Sequence, residues 1–377
     1  MSIADVVEVS RRYGSDEDWV LAGGGNTSYK DDETLYVKAS GFPLATIGPE
    51  GFARMDRRAL QKIWSVTYPA DTAVREEAAL ADLMNARCQG ETKRPSVETL
   101  MHELFPYPLV VHTHPAFVNG LTCAADGERA ARRLFGTRLL WVPAIEPGYV
   151  LASHMHKAAQ DHAERHGVFP KLAMLENHGL VIAGSGRSEV DALHREVKRV
   201  VGKALKREPD LSPLETDEAA RDRWRAAIEM SFDHDVAVEF HSDPELLRRL
   251  ASAADFAPLN GVFSPDHIVY AGSRPVYVTG TPASPVSALT SLLAAYRKDH
   301  GSDPRIIAVG GLGVCAVAES ASAASTALSL FLDEVKIAAY AESFGGARHL
   351  EPRLVRFIES WEVERYRRKI SQGGNDS

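Results

Sequence analysis

The chain has 377 residues, of which 45% are hydrophobic and 25% are charged, with a formal net charge of −8 at pH 7. This length and apolar content suit two domains, or one large domain, with well-packed cores. The mixed, acidic charge provides no basic surface for a nucleic acid. Cys88, Cys123 and Cys315 are scattered without metal-ligand spacing, so we expect buried thiols in a reducing compartment.

The first predicted element is an amphipathic helix over residues 2–13 that ends at Gly14, and this N-terminus lacks the pattern of a signal peptide. A second helix is predicted over 72–87, with Asp71 as its cap. The most apolar stretch of the chain, 306–318, is short and interrupted by glycines. No membrane span is therefore predicted, and we expect a cytoplasmic protein.

After residue 100, short apolar runs alternate with helical patterns. The apolar runs predict strands, and the longer segments between or after them predict helices. The predicted strands cover 108–114, 139–142, 172–175 and 180–183, and the predicted helices cover 151–166 and 188–206. Such alternation is typical of a layered α/β domain.

A segment rich in charge and proline, 206–217, is the strongest candidate for a domain boundary. It separates a domain over residues 1–208 from a helical bridge and a smaller α/β lobe over residues 209–377. In this second part we predict helices near 214–231 and 243–254, and an α/β unit that ends in helices near 320–342 and 351–369.

The second α/β unit resembles a degenerate repeat of the first. The stretch 171–184 with its following helix parallels 305–318 with its following helix, and 34–41 parallels 267–274. On this alignment Leu312 takes the place of His178, and no His-x-His occurs after residue 205, which predicts a lobe without metal. The alternative is that short strand-turn-strand-helix units look alike by chance.

Three histidines are the candidate metal ligands. His112 and His114 are separated by one residue at the end of an apolar run, so on a strand they share one face. His178 follows on a turn after another predicted strand. Imidazole nitrogens suit Zn²⁺, and three histidines are a common protein share of a catalytic zinc site. Either histidine of the pair alone would more often be an ordinary core or surface residue.

Glu98 is the candidate acid–base group. Pro95 and Ser96 predict a helix start with Ser96 as the cap, which places Glu98 in the first turn, where its charge also favours the helix dipole. His102 lies one turn later, where it either orients the carboxylate or contacts solvent. A carboxylate beside a Lewis-acid metal is what proton abstraction next to a carbonyl requires.

Two loops with glycine are candidates for binding an anion. The stretch Ala22-Gly-Gly-Gly25-Asn26-Thr-Ser28 is followed by a second loop at Ser40-Gly41. Glycines allow close backbone approach to an anion, and Asn, Thr and Ser supply hydrogen-bond donors. Neither loop matches a nucleotide fingerprint. Taken alone, three glycines usually mark only a turn.

Five segments, in this order, resemble the class II aldolase/adducin family: Gly25-Asn26-Thr27-Ser28, Ala39-Ser40-Gly41, Pro95-Ser96-Val97-Glu98, His112-Thr113-His114-Pro115 and Asn177-His178-Gly179. The resemblance covers residues 5–205. It implies a three-layer α/β/α domain, here followed by the smaller second α/β lobe. It also implies a homo-oligomer, because family members share sites between subunits.

The resemblance implies a role for each of these residues. Zn²⁺, or another divalent transition metal, would be held by Glu98, His112, His114 and His178, and Glu98 would also act as the acid–base group. The substrate phosphate would be held by Gly25, Asn26, Ser40, Gly41 and Ser96. One departure concerns the phosphate, because L-fuculose-phosphate aldolases carry two serines before the glutamate and this chain has Val97 at the second position.

The second half resembles the aldolase portion of bifunctional rhamnulose-phosphate aldolase/alcohol dehydrogenases. The resemblance is carried by the segments 261–268, 306–314 and 359–364. In those proteins a short-chain dehydrogenase follows, whereas this sequence stops at Ser377, so we expect no dehydrogenase. The Ser264-Pro-Asp segment predicts that His267 lies in a turn, and its place in a segment shared with the long aldolases offers a role at the rim of the site as the alternative.

These observations together predict a Zn²⁺-dependent aldolase that cleaves or forms a carbon–carbon bond in a ketose 1-phosphate of the rhamnulose or fuculose type. The products of cleavage would be dihydroxyacetone phosphate and an aldehyde, and no nucleic acid or membrane partner is expected. An epimerase, dehydratase or decarboxylase on the same site is the first alternative. An adducin-like binding module is the second, although the presence of all four candidate ligands argues against it.

Overall fold

The computed structural model describes residues 2–279 and 285–361. The first half comprises α1 (Ile3–Gly14), β1 (Asn26–Lys30), β2 (Thr34–Lys38), β3 (Phe52–Asp56), α2 (Arg57–Ile63), α3 (Thr72–Asn85), α4 (Thr99–Glu103), β4 (Leu109–Thr113), α5 (Ala116–Thr122), α6 (Gly127–Phe135), β5 (Leu139–Val142), α7 (Tyr149–His166), β6 (Leu172–Leu175), β7 (Gly179–Gly184) and α8 (Arg187–Gly202). The four strands predicted from apolar runs are β4 to β7.

The second half comprises α9 (Glu218–Glu229), β8 (Ala237–His241), α10 (Pro244–Arg249), α11 (Ala253–Phe256), α12 (Pro265–Tyr270), β9 (Val276–Val278), α13 (Pro285–His300), β10 (Ile306–Val309), β11 (Gly313–Ala318), α14 (Ala321–Ala341) and α15 (Pro352–Ser360). The last predicted helix, 351–369, extends outside the described residues. None of the helices described is long and apolar enough to span a bilayer.

The first half is built on a seven-stranded sheet with the order β3-β2-β1-β4-β7-β6-β5. All neighbouring strands are antiparallel except β5 and β6. Successive residues of a strand point to opposite faces, and both faces are covered. Val111 packs into a core formed with α1, α5, α6 and α8, whereas Val110 packs into a core formed with α4 and α7. The predicted three-layer α/β/α fold is confirmed.

The second half contains a four-stranded sheet with the order β8-β11-β10-β9. It is also covered on both faces. Ala308 and Val314 belong to a core shared with α12 and α14, and Val309 and Cys315 belong to a core shared with α9 and α13. The second α/β lobe is therefore a three-layer unit of its own.

One part of the predicted internal repeat is wrong. The segment 34–38 is the strand β2, but the segment aligned with it begins inside α12, a helix over Pro265–Tyr270. The first residues after Phe263 read Ser-Pro-Asp, and this is a helix start, with Ser264 at the N-cap and Pro265 at the first helical position. His267 thus lies inside a buried helix and not in a turn.

The two halves pack against each other through α5 and α14. Gly120 on α5 makes this contact possible, because a Cβ atom at this position would lie 2.2 Å from the Cβ atom of Tyr340 on α14. A bridge between Ala124 and Ala347 pairs the backbones just beyond these helices. The second lobe therefore lies directly against the helix that follows the His-x-His segment.

Candidate metal centre

The strand β4 brings the His-x-His segment into the centre of the large sheet. His112 lies between two neighbours, Asn26 on β1 and Val181 on β7, in the pairing of the strands. Its Nδ1 atom is 2.9 Å from the carbonyl oxygen of Leu180. A carbonyl only accepts hydrogen bonds, so Nδ1 of His112 carries the proton and Nε2 points toward the site with its lone pair.

His178 is placed by the turn between β6 and β7. Asn177, just before it, has a positive φ of 53°, which Asn tolerates better than most residues. The Asn177 amide donates to the carbonyl oxygens of Phe263, at 3.0 Å, and Arg348, at 2.9 Å, both in the second half of the chain. The turn that carries the third histidine is thus anchored by the second lobe.

The three imidazoles converge on one point. His112 Nε2 lies 2.9 Å from His114 Nε2 and 3.3 Å from His178 Nε2. Ligand atoms of these histidines all lie within 4.8 Å of one another. Among the residues that the structure describes, this is the one group of three or more such side chains that can hold a metal ion.

The carboxylate of Glu98 faces the same point. Its Oε1 atom is 3.1 Å from His178 Nε2 and 3.5 Å from His112 Nε2. The helix start differs from the prediction: α4 begins at Thr99 and Glu98 is the N-cap residue, while the Ser96 hydroxyl accepts from the backbone N–H of Glu98 at 3.2 Å. Glu98 therefore precedes the first turn, and its side chain makes no capping bond but points into the site.

The chemistry of this donor set fits a divalent cation. His114 Nδ1 is 2.6 Å from the carboxylate oxygen Oδ2 of Asp266, so its Nε2, like that of His112, presents a lone pair. Two imidazole lone pairs and a carboxylate oxygen thus meet without a proton between them, an arrangement that a positive charge stabilises. Three nitrogens and one oxygen are a common ligand set for Zn²⁺.

The pKa shifts of Glu98 and His112 also fit a divalent cation. Burial alone would raise the pKa of Glu98, but the adjacent His112 and His178 hold the pKa well below its ordinary value. Burial would likewise lower the pKa of His112, yet the charge and hydrogen bond of Glu98 raise it. Both shifts indicate that the Glu98 carboxylate, whose side chain is 13% exposed, favours a positive charge on the adjacent imidazoles.

The second oxygen of Glu98 is held by a buried chain of hydrogen bonds. Asn26 Nδ2 donates to Glu98 Oε2 at 2.5 Å, and its Oδ1 accepts from His102 Nε2. His102 Nδ1 in turn accepts from the Ser28 hydroxyl at 2.8 Å. Burial lowers the pKa of His102 to about 3, so the ring is neutral and its tautomer is fixed by these partners. His102 thus orients the carboxylate through Asn26 and does not contact solvent.

A cavity of about 340 Å³ opens beside the four candidate ligands. Its wall includes all of the residues predicted for phosphate binding: Gly25, Asn26, Ser40, Gly41 and Ser96. Asn26 is already engaged by Glu98, and its Nδ2 also lies 3.4 Å from the Ser96 hydroxyl. The loops singled out in the sequence therefore meet the histidines at one cavity, although they are far apart along the chain.

Residues 4–200, just over half of the chain, match the class II aldolase and adducin N-terminal domain. The chain belongs to this family. It is also 25% identical to an uncharacterised oxidoreductase of Bacillus subtilis, YuxG, over 97% of this chain, and it spans 58% of the length of that relative.

Solved structures of class II aldolases resemble the first half. The N-terminal class II aldolase domain of a conserved protein from Thermoplasma acidophilum is 27% identical, with a TM-score of 0.47 and coverage of 54% of this chain and 93% of that one. An L-fuculose 1-phosphate aldolase is 18% identical, with a TM-score of 0.35 and coverage of 54% and 86%.

Several residues of this class II aldolase domain's cavity were not predicted from the sequence. Lys38 lines it at the end of β2, two residues before Ser40. The second half supplies the opposite wall with Pro265, Asp266, Tyr270, Thr326 and Trp361. Pro265 and Asp266 belong to the segment 261–268, and Trp361 belongs to the segment 359–364, both of which carry the resemblance of the second half. Asp266 reaches the site, whereas its neighbour His267 is buried away from it.

The three consecutive glycines also have a cause that the sequence did not indicate. A Cβ atom at Gly23 would lie 2.6 Å from the hydroxyl of Tyr270, and one at Gly24 would lie 2.5 Å from Oδ2 of Asp266. Gly25 has a positive φ of 67°. Two of the glycines thus admit α12 of the second lobe, and the third permits the turn into β1.

Proposed function

We propose that this protein is a metal-dependent class II aldolase acting on a ketose 1-phosphate or a related hydroxy-carbonyl compound. The observation that carries the proposal is the convergence of Glu98, His112 and His178 within 3.5 Å of one another, with His114 adjoining, at the mouth of a cavity. These four residues would hold Zn²⁺ or a similar ion. Such an ion, when bound, stabilises negative charge developing on the carbonyl and hydroxyl oxygens of the substrate.

Glu98 would move the proton. In the direction of bond formation, a carboxylate oxygen takes the proton from the carbon next to the substrate carbonyl. The resulting enediolate carbon attacks the aldehyde, whose oxygen then takes up a proton to become the product hydroxyl. In cleavage the same oxygen returns a proton to that carbon. The contact from Asn26 to Glu98 Oε2 fixes the carboxylate, while the depressed pKa keeps it ionised and ready to accept a proton.

The phosphate would lie against the loops that line the same cavity. Ser40, Gly41 and Ser96 line this cavity and would offer hydroxyl and backbone donors, and Lys38, which also lines it, would add a positive charge. This arrangement supports an anionic substrate, for which the sugar phosphates of the family are the first choice.

The same four ligands would also serve an epimerase, a dehydratase or a decarboxylase, because each needs an acid–base group beside a polarised carbonyl. The nature of the product separates these reactions. A purely structural, adducin-like role fits less well, since a scaffold does not require a buried carboxylate among three histidines whose lone pairs converge. A homo-oligomeric state stays a proposal that sedimentation analysis would test.

The decisive experiment combines metal analysis with product detection. Purified protein should contain about one divalent transition metal ion per chain, and it should release dihydroxyacetone phosphate from one of a panel of ketose 1-phosphates. The variant His112→Ala with His178→Ala should lose both properties. His166→Ala is the matched control, because His166 is an exposed histidine at the end of α7. Stoichiometric metal in the double variant would refute the site, and release of CO₂ or an epimer would reassign the reaction.

A further inference from the structure

One carboxylate of the second lobe reaches the proposed metal centre. Asp266, on α12, places its Oδ2 atom 2.6 Å from Nδ1 of His114, although the two residues are 152 positions apart in the sequence. Asp266 is 4% exposed, so this contact is shielded from solvent. Among the three histidines, His114 is the one whose second ring nitrogen depends on the other half of the chain.

A metal-binding imidazole needs its second nitrogen to be held by an acceptor. That partner fixes the tautomer, aims the ring and makes the ligating nitrogen more basic. His112 obtains this support within the first half, from the carbonyl oxygen of Leu180. His114 lies beyond the end of β4, where no strand partner provides a carbonyl, and it obtains the equivalent support from Asp266.

Asp266 is itself held in place by a buried network. The next residue, His267, is fixed between the Ser264 hydroxyl, 2.8 Å from Nδ1, and Asp333 Oδ2, 3.2 Å from Nε2. Ser264 and His267 are both 1% exposed. Asp333 belongs to α14, the helix that packs on α5. The position of Asp266 is thus linked to the packing of the two halves.

The first half is shaped to receive this carboxylate. Gly24 leaves the space that Asp266 occupies, since a Cβ atom there would also lie 3.3 Å from Nδ1 of His114. A surface ion pair between two lobes would need no such fit. The burial and the geometry of the contact are those expected of a carboxylate that holds the metal-binding histidine in place.

We infer that Asp266 is a positioning residue for the metal ligand His114, so that the second lobe completes the metal centre of the first. This inference rests on the proposed metal site and concerns binding of the ion, not the identity of the substrate. It assigns the second lobe a role that the catalytic residues of the first half do not reveal.

The test measures Zn²⁺ affinity of the full-length protein by competition with a chromophoric chelator. Asp266→Ala should weaken binding by about 10- to 100-fold, the usual cost of losing such a partner. Asp266→Asn keeps the shape and a neutral acceptor, so its loss should be smaller. Asp299→Asn removes the same charge from an exposed position on α13 and should change nothing. Affinity of Asp266→Ala within two-fold of the parent would overturn the inference.

A second measurement needs neither the Asp266 variants nor any metal. The ¹⁵N chemical shifts of histidine-labelled, metal-free protein at pH 8 should identify His114 as the tautomer with its proton on Nδ1, with His114→Ala to assign the signals. A proton on Nε2 would overturn the inference. Failure of the parent protein to bind any metal would overturn the proposed function and this inference together, whereas equal binding by parent and Asp266→Ala would overturn only the inference.

Discussion

Two turns in this molecule connect strands that pair in the same register, but one turn carries a histidine and the other carries a leucine. In the first half, β6 and β7 pair from Leu172 with Ile182 to Leu175 with Gly179, and the turn between them carries His178. In the second half, β10 and β11 pair from Ile306 with Ala316 to Val309 with Gly313, and the turn carries Leu312. The register is the same, and a long helix follows each hairpin.

The similarity extends to the neighbouring strands. The order β4-β7-β6-β5 corresponds to β8-β11-β10-β9, with antiparallel, antiparallel and parallel contacts in both sheets. Thr113 pairs with Leu180 as His241 pairs with Val314. These agreements support the interpretation of the second lobe as a copy of the first, which stays a proposal.

The comparison shows which side chains distinguish the candidate metal centre from the corresponding hairpin of the second lobe. At the positions of His112, His114 and His178, the second lobe has Phe240, Ser242 and Leu312. Leu312 and Phe240 pack in the apolar core beside α9 and α13, so burial there is stabilised by the hydrophobic effect and requires no ion. The lobe contributes instead through another surface, the α12 and α14 wall of the cavity in the first half.

The largest expected effect concerns the carboxylate that faces His178. Glu98→Gln should retain much of the metal, because three imidazoles remain, but it should lower turnover by ~10²–10⁴-fold, the usual contribution of a general acid–base group. Steady-state kinetics and metal content measured on the same preparation test this. Turnover within a few-fold of the parent would reduce Glu98 to an N-cap residue. The exposed Glu351→Gln at the start of α15 is the matched control.

Exchanging the two turn residues tests directly whether they explain the difference between the two turns. His178→Leu gives the first turn the side chain of the second, and loss of one of four ligands should weaken zinc binding by about 10²–10³-fold, roughly a quarter of the binding free energy of a four-ligand site. Leu312→His should create no second site, because Phe240 and Ser242 supply no nitrogen ligands. Titration of both variants with zinc, monitored by isothermal calorimetry, tests both expectations. A second bound ion in Leu312→His would show that the ligand positions do not explain the difference.

The sequence predicted the first half better than the second, for physical reasons. The strands β4 to β7 are buried on both faces, so they appear as apolar runs, and the two histidines that flank the last residue of β4 stand out against them. The strands β1 and β3 contain polar residues such as Asn26, Ser28 and Arg54 and form by pairing with neighbours, which local composition does not show.

The missed site residues share one property: their contacts are distant in sequence. Asp266 meets His114, and Tyr270 meets Gly23, only after the second lobe docks on the first. In the sequence Asp266 is one acidic residue in a Ser-Pro-Asp segment typical of a turn or helix start. No periodicity links it to a histidine in the other half, so only the tertiary structure identifies it.

The next effect tests whether the cavity beside the candidate metal centre binds a phosphate. Ser40→Ala removes a hydroxyl donor from its wall, and loss of a donor to a charged group costs roughly 1.5–3 kcal/mol, or about 10- to 100-fold in affinity. KM for the phosphorylated substrate should rise by that factor, with little change for an unphosphorylated analogue. Equal effects on both substrates would indicate that the anion is not a phosphate bound at Ser40. Ser65→Ala, an exposed serine after α2, serves as the control.

The smallest expected effect tests the contact that holds the two compared regions together. Gly120→Ala should place a methyl group 2.2 Å from the Cβ atom of Tyr340, and such overpacking typically costs about 1–3 kcal/mol of unfolding free energy. Gly202→Ala, near the end of α8 with no neighbour within 4 Å, should be neutral or stabilise by up to about 1 kcal/mol, because alanine favours a helix over glycine.

Urea unfolding of both variants separates strain at the contact from helix propensity. If α14 is displaced in Gly120→Ala, then Asp333 and with it Asp266 should move as well, so the variant should also bind Zn²⁺ more weakly than Gly202→Ala. A destabilised Gly120→Ala with unchanged zinc affinity would mean that the lobes can shift without disturbing His114. The second lobe would then stabilise the fold at α5 but would not tune the metal centre, and the difference between the two turns would be confined to their own side chains.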